Sequence, residues 1–137
     1  MSSPSRWIAL PALTATLAAA ALSLPGVAGA ASTKSCKLTI QQSQKLGPTY
    51  VLNSKGQPGY SVRVTSCANG KKVIQAFHRC RFKKGKTGRC TTKVLGYSCR
   101  ESRSGNNVVG GKLLSFESDV TCSRGSARVT HHYQQNT

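Results

Sequence analysis

The segment between Cys80 and Cys90 concentrates positive charge in a way that suits binding chemistry. It holds five cations in nine residues, RFKKGKTGR, together with one large apolar side chain, Phe82. A disulfide across its ends would lower the entropy lost when these side chains are ordered on a partner. We therefore predict a binding site for anionic groups here. The residues assigned to it are Arg79, Arg81, Phe82, Lys83, Lys84, Lys86 and Arg89.

The whole chain is strongly basic as well. Its 137 residues include 20 Lys and Arg against three acidic residues, which gives a formal net charge of +17. Proteins with such a charge attract anionic partners, such as acidic cell-wall polymers, lipid head groups and nucleic acid. An anionic polymer or surface is therefore the expected partner. The alternative is that the charge, including that of the loop, only keeps the protein solvated.

The first thirty residues have the pattern of a secretion signal. Arg6 precedes the apolar run IALPALTATLAAAALSL, and Ala28-Gly29-Ala30 fits the small-residue cleavage pattern. An uncleaved membrane anchor is the alternative, and two prolines and the small residues argue against it. We assign residues 1–30 to a signal peptide and residues 31–137 to one secreted or cell-wall-associated domain with no membrane anchor after cleavage. Removing Arg6 leaves 19 basic and three acidic residues, a formal charge of +16.

All six cysteines follow residue 30. An even number of cysteines in a small exported domain predicts three disulfides. No two cysteines have C-x-x-C spacing and no histidine lies at ligand spacing from them, so we expect neither a metal site nor a redox-active pair. Besides the preferred set, crossed pairings are possible among four of the cysteines: Cys36, Cys67, Cys99 and Cys122. The preferred set is Cys36–Cys67, Cys80–Cys90 and Cys99–Cys122.

Gly85-Lys86-Thr87 resembles the end of a phosphate-binding P-loop. That motif requires a glycine five residues before Gly85, and the chain has Cys80 at this position. We therefore expect no nucleotide site and no cofactor.

One carboxylate–histidine pair is a candidate for catalysis. In the hairpin predicted below, Glu117 lies opposite His132 on the face away from the core, with Arg128 nearby. An acid and a histidine could cleave RNA by general acid–base catalysis, as in a small secreted ribonuclease. The alternative, which we favour, is a cross-strand ion pair, because a single pair on a flat face forms no pocket.

Apolar periodicity predicts an α+β fold, in which an antiparallel sheet of four or five strands has one helix packed on one face and disulfides stabilise the whole. The helix begins at Cys67 after a cap at Thr65 or Ser66. Its apolar stripe contains Gly70, where the helix backbone should lie close to the sheet. His78 falls on the polar side of the helix, and we expect it to be exposed.

Alternation of apolar and polar residues predicts the strands. They are expected at residues 37–41, 49–52, 59–66 and 94–99, with a final hairpin formed by residues 112–122 and 127–133. Residues 100–111 are predicted to form a loop. If Arg124 and Gly125 are the turn residues of the hairpin, paired positions on the buried face include Phe116 with Tyr133, Val120 with Val129 and Cys122 with Ala127.

Three short motifs resemble a recurring pattern in small exported actinobacterial proteins of unknown function. The motifs are VTSCANGKKVIQAF, GYSC and VTCSRGSARV. In that pattern a cysteine begins a helix, a glycine-aromatic-x-cysteine strand follows, and a cysteine precedes a basic-glycine turn. Gly70 replaces the commoner alanine and Tyr97 the commoner tryptophan. The resemblance covers half of the mature chain and implies a fold and an exported location but no activity, and the Cys80–Cys90 loop departs from it.

Four functions fit these features, and we favour the first. It is a secreted, non-enzymatic protein that binds anionic polymers or surfaces through the Cys80–Cys90 loop. The others are a membrane-active antimicrobial protein, a ribonuclease that uses Glu117 and His132, and a protease inhibitor whose loop presents Lys or Arg. The sequence specifies neither the ligand nor the oligomeric state.

Overall fold

The computed structural model describes residues 31–137, and the predicted signal peptide lies outside this part of the chain. The fold is α+β, as predicted, but this part has six antiparallel strands and two helices instead of four or five strands and one helix. None of its helices is long and apolar enough to cross a membrane. In chain order the elements are β1 (Lys34–Lys37), α1 (Ile40–Gln44), β2 (Tyr50–Leu52), β3 (Gly59–Arg63), α2 (Cys67–Phe82), β4 (Ser98–Val109), β5 (Lys112–Arg124) and β6 (Ala127–Asn136).

All six strands belong to one sheet, whose order is β1-β3-β6-β5-β4. The short strand β2 also pairs with β6, on the edge that β3 uses. Along this edge β3 pairs with residues 128–130 and β2 with residues 132–134. β6 is therefore the central strand, and β1 and β4 are the outer strands of the sheet.

Buried side chains alternate along the strands and face α2 on one side of the sheet. Helix α2 begins where Ser66 Oγ accepts a hydrogen bond of 3.1 Å from Asn69 N. It approaches the sheet closely at Gly70, as predicted. A Cβ atom added there would lie 2.7 Å from Val62 Cγ1 and 2.8 Å from Tyr60 Cε2. Any larger residue at this position would force the helix away from β3.

The strand predicted at residues 37–41 is wrong beyond Lys37, because Thr39 caps a helix that begins at Ile40. Thr39 Oγ1 accepts a hydrogen bond of 3.1 Å from Gln42 N, and Gln42 Oε1 accepts one of 2.9 Å from Thr39 N. This reciprocal capping box starts α1. The first strand lies earlier, at β1, while the strands predicted at residues 49–52 and 59–66 correspond to β2 and β3.

Residues 94–97, which were predicted to be part of a strand, form a tight turn. Val94 and Tyr97 exchange two backbone hydrogen bonds of 2.9 and 2.8 Å. Between them Leu95 and Gly96 have φ angles of +49° and +79°. Two consecutive positive φ angles are typical of a type I′ turn, which reverses the chain before β4.

The loop predicted at residues 100–111 is also wrong, since most of it belongs to β4 and pairs with β5. Inward positions of this strand carry polar side chains, among them Glu101 and Arg103. Both faces of the strand are therefore polar, and apolar alternation could not indicate it.

The register of the β5–β6 hairpin differs by two residues from the prediction. Arg124 pairs with Ala127, so the turn residues are Gly125 and Ser126, and Gly125 has a φ angle of +55°. A slip of two keeps every side chain on its face, so burial alone could not exclude it. The observed pairs include Phe116–Gln135, Val120–His131 and Cys122–Val129.

The three disulfides are those of the preferred set. Cys36–Cys67 joins β1 to the first residue of α2, and Cys80–Cys90 joins the end of α2 to the segment that follows it. Cys99–Cys122 links directly opposite positions of β4 and β5. Each bond therefore connects elements that are already neighbours in the fold.

Candidate functional site

A groove of about 500 Å³ lies between the C-terminal half of α2 and residues 89–94. Ala76, Cys80 and Val94 give it an apolar part, and Thr91 and Thr92 contribute hydroxyl groups. None of its lining residues is acidic. We call it the cationic groove, after the five exposed cations that line it. They are Arg79, Lys83, Lys84, Arg89 and Lys93.

The helix and one disulfide bring these cations together. Arg79 and Lys83 are four residues apart at the end of α2, so they lie on one side of the helix. The Cys80–Cys90 disulfide has a Cα–Cα distance of 5.3 Å. Residues on both sides of Cys90 must therefore lie beside this turn of the helix, which is how the second half of the groove forms.

Four of the seven residues predicted for the binding site line this groove, and three do not. Lys86 is exposed farther along the loop, and Phe82 is half-buried at the end of α2. Lys93 was not predicted, because the run of charged residues in the sequence ends before Cys90. The disulfide itself was the missing signal, since it places the residues after Cys90 beside α2. The four predicted residues that line the groove are Arg79, Lys83, Lys84 and Arg89.

Arg81 was predicted to contact a ligand, but the structure buries it completely. Its Nη1 donates a hydrogen bond of 2.5 Å to Lys86 O, and its Nη2 donates one of 2.7 Å to Gln135 Oε1. The rings of Phe82 and Tyr133 lie 4.5 and 4.8 Å from its Cζ. Arg81 therefore holds the loop against the sheet and is not a surface cation.

A second arginine, Arg103 of β4, holds the same loop. Its Nη1 and Nη2 donate hydrogen bonds of 2.6 Å to Thr87 O and Gly88 O. Its Nε donates one of 2.5 Å to Glu101 Oε1, and its Cζ lies 4.3 Å from the ring centre of Phe116. The carbonyls of three consecutive loop residues are thus bound by two arginines fixed on α2 and β4.

Glu101 supplies the negative charge among these arginines, and its side chain is only 5% exposed. Besides Arg103, its Oε1 accepts a hydrogen bond of 2.6 Å from the Tyr133 hydroxyl. Arg89 Nη1, at the rim of the groove, lies 4.0 Å from the other oxygen. Burial, together with the hydrogen bond to Glu101, raises the pKa of Tyr133 to about 12, so the phenol stays a neutral donor.

His78 and His131 are buried side by side, with Arg81 next to His78, contrary to the prediction that His78 is exposed. Their Nε2 atoms are 3.2 Å apart, and Arg81 Nε donates to His78 Nδ1 at 3.4 Å. Neutral His78 therefore carries its proton on Nε2 and donates it to His131 Nε2. Burial lowers the pKa of His78 well below its usual value and that of His131 to about 3.

The candidate catalytic pair lies on the other, outward face of the sheet. In the observed register His132 is opposite Asp119 and not Glu117. Its Nδ1 lies 3.1 Å from Asp119 Oδ1, and its Nε2 lies 3.6 Å from Glu117 Oε2. A hollow of about 350 Å³ beside this cluster has no Lys or Arg in its lining, so it offers no cation to an RNA phosphate. Within residues 31–137 no three His, Cys, Asp or Glu side chains are placed to hold a metal ion.

No protein-family model, no curated protein and no solved structure matches this chain. The resemblance to small exported actinobacterial proteins therefore stays a prediction.

Proposed function

We propose that the mature protein is exported and that it binds anionic polymers or surfaces through the cationic groove. The observation that carries this proposal is the meeting of five exposed cations in one groove whose lining contains no acidic residue. Like charges held close together repel one another, so an anion that neutralises them is favoured there. Cell-wall polymers, lipid head groups and nucleic acids all carry the required phosphate or carboxylate groups.

The shape of the groove supports the proposal, because the free protein already holds the loop in place. The Cys80–Cys90 disulfide closes the loop, and Arg81 and Arg103 bind its carbonyls. A free cationic tail would have to be ordered when it binds, at a cost in backbone entropy for each residue. Because this loop is already ordered, it loses less conformational entropy when its cations bind an anion.

Export is supported by the three disulfides and by the composition of residues 1–30. Three disulfides in a small domain are typical of proteins that fold in an oxidising compartment. Residues 1–30 have the composition and the small-residue cleavage pattern of a signal peptide. An exported protein with this charge would meet the acidic polymers of the cell surface first.

Neutralising the groove tests the proposal. A variant in which all five groove cations are replaced by glutamine should lose most of its retention on heparin and most of its affinity for duplex DNA. Five phosphate contacts correspond to a slope of about −4.5 in log K against log salt concentration, so the slope of the variant should be shallower by about that amount. Fluorescence-anisotropy titrations at several salt concentrations measure it.

The matched control removes the same charge elsewhere, by replacing five exposed lysines with glutamine. It should keep nearly all of the retention and the wild-type slope, apart from a small general loss. If both variants weaken binding equally, only net charge matters and the groove is not the site. Titrations with anionic cell-wall polymer and with anionic vesicles rank the ligands, and vesicle leakage would identify a membrane-active protein. The control positions are Lys34, Lys37, Lys45, Lys55 and Lys112.

A further inference from the structure

The outward face of the sheet carries a second group of arginines. Arg63 of β3 lies directly opposite Arg128 of β6, and Arg100 of β4 lies on the same face, two strands from β6. No carboxylate within residues 31–137 forms an ion pair with any of the three. Like charges directly opposite on one face destabilise a sheet. The pair is therefore unfavourable unless an anion neutralises it.

Arg63 supplies a second, independent observation. Its Nε is buried and has no hydrogen-bond partner in the part of the chain that the structure describes. A buried donor on a charged group is costly when it lacks an acceptor, and such groups call for an explanation. An oxyanion placed between Arg63 and Arg128 would supply the acceptor and offset the repulsion at once.

Two hollows flank Arg128, and this residue lines both. One, of about 210 Å³, is also lined by Arg63, and the other, of about 360 Å³, is also lined by Arg100. Neither lining contains an acidic residue. Hydroxyl groups make up most of the remaining polar lining. They belong to Thr33, Ser61 and Thr130 in the first hollow and to Ser98, Thr121 and Ser123 in the second.

The chemistry of these donors favours a particular class of ligand. A guanidinium group binds phosphate-like groups through two parallel hydrogen bonds, and hydroxyls add donors from the neighbouring strands. A phosphate group presents three strong acceptor oxygens, and a sulfate ester has the same tetrahedral arrangement, so either uses donors on several sides better than a planar carboxylate does. Two hollows that share Arg128 suit two such groups along one chain.

We propose that Arg63, Arg100 and Arg128 form a second binding site, the outer arginine site, for a chain that carries phosphate or sulfate groups. It is separate from the cationic groove. Val62 contacts α2 at Gly70, and the next residue, Arg63, points to the opposite face because side chains alternate along a strand. One bound group therefore cannot contact both sites, and each can be tested without the other.

The test uses the variant whose five groove cations are glutamine, labelled with ¹⁵N. Tripolyphosphate and sucrose octasulfate are titrated separately, and the spectra follow backbone amides and arginine Nε–H groups. We expect saturable shifts of the Arg63 Nε–H signal and of amides in residues 61–63, 121–123 and 128–130. The added substitutions Arg63→Gln and Arg128→Gln should weaken binding about tenfold or more. Lys45→Gln with Lys112→Gln removes equal charge and should weaken it far less.

The outcomes separate the possibilities. A response to tripolyphosphate alone identifies a phosphate site, and a response to the octasulfate alone identifies a sulfate site. The outer arginine site is overturned if neither probe moves these signals saturably, or if both double substitutions weaken binding equally. The groove is neutral in these samples, so failure of the groove proposal leaves this result unaffected. The same titration of the wild-type protein, in which Arg63 gives its own signal, guards against misfolding of the variant.

Discussion

Leu95 has a backbone conformation that leucine rarely adopts. Its φ angle is +49°, in the left-handed region, and the residue is 56% exposed, so little burial compensates for the strain. It precedes Gly96 in the tight turn before β4, and Arg124 Nη1 donates a hydrogen bond of 3.3 Å to its carbonyl. Asn-Gly is the preferred dipeptide at this type of turn.

Replacing Leu95 by asparagine should therefore stabilise the protein. We expect the free energy of unfolding to rise by about 1 kcal/mol, because asparagine tolerates the left-handed region and leucine does not. Urea denaturation measures the change. Leu95→Ala is the control, since it shortens the exposed side chain but keeps a Cβ in the same conformation, and it should give no comparable gain. Equal gains for alanine and asparagine would contradict the explanation by backbone strain.

Single residues also mark the limit of prediction from the sequence. The apolar stripe of α2 was predicted, but His78 and Arg81 extend it, and both are fully buried. They are buried because their partners, His131 and Gln135, lie on β6 more than fifty residues later. Nothing in the sequence of the helix indicates a polar partner on a distant strand. His78 was therefore predicted to be exposed, and Arg81 was predicted to be a surface cation.

At the scale of elements, the conformation of the Cys80–Cys90 loop depends on contacts with β4 more than on the loop's own sequence. Two hydrogen bonds from Arg103 connect the loop carbonyls to this strand, and a third joins Arg103 to Glu101 of the same strand. The disulfide fixes only the two ends of the loop, whereas the arginines fix its middle. Order in the loop should therefore decrease around Thr87 and Gly88 when Arg103 is removed, even with the disulfide intact.

Arg103→Met tests this dependence, since methionine keeps a flexible apolar stem against Phe116. The substitution leaves Glu101 buried without its closest cation and should lower the free energy of unfolding by about 3 kcal/mol. Hydrogen exchange of amides 85–89 should accelerate, and affinity for anionic polymers should fall because the loop must now be ordered on binding. Arg89→Met is the control: the Arg89 side chain is 53% exposed and 4.0 Å from Glu101, so the change in stability should stay within about 1 kcal/mol. Unchanged exchange in the Arg103 variant would show that the disulfide and Arg81 order the loop without Arg103.

The elements themselves were predictable to different degrees. Alternation correctly indicated which side of β3, β5 and β6 is buried, because that side is apolar. It failed for β4, because the inward residues Glu101 and Arg103 are polar: they bind each other, and Arg103 also binds loop carbonyls. It also failed to fix the hairpin register, because a shift of two preserves the buried face.

At the scale of the whole molecule, the buried histidines make the fold sensitive to acid. Both have folded-state pKa values below the ordinary value of 6.5, mainly because of burial, and that of His131 is about 3. Below pH 6.5 the unfolded chain therefore binds protons that the folded protein does not. Their stabilising effect is complete above pH 6.5 and is lost progressively as the pH falls toward 3.

Urea denaturation at pH 7, 6, 5 and 4 should show this loss. Each histidine contributes up to about 1.4 kcal/mol per pH unit once the pH is well below 6.5. The variant His131→Gln should show a slope smaller by about one proton, whatever its stability at pH 7. Thr130→Gln, on the outward face beside it, removes no titrating group and should keep the wild-type slope. Identical slopes for His131→Gln and the wild type would exclude His131 as a source of acid sensitivity.

The fold class was predictable from the sequence, whereas several residues of the two sites were not. Six cysteines and apolar alternation sufficed for a disulfide-bonded α+β fold, and the charge run located most of the cationic groove. Lys93 was missed because it joins the groove only through the Cys80–Cys90 bond. The arginines of the outward face were missed because Arg63, Arg100 and Arg128 are scattered along the sequence and meet only through strand pairing.

The placement of the two proposed sites on opposite sides of one sheet has a geometric consequence. A flat bilayer can lie against one face of this protein at a time, so it would engage only one of the sites. A flexible chain could wrap around an edge of the sheet, and two separate chains could be held at once, one on each face. The protein would then be bivalent, and anionic strands, more than flat membranes, would gain avidity from it.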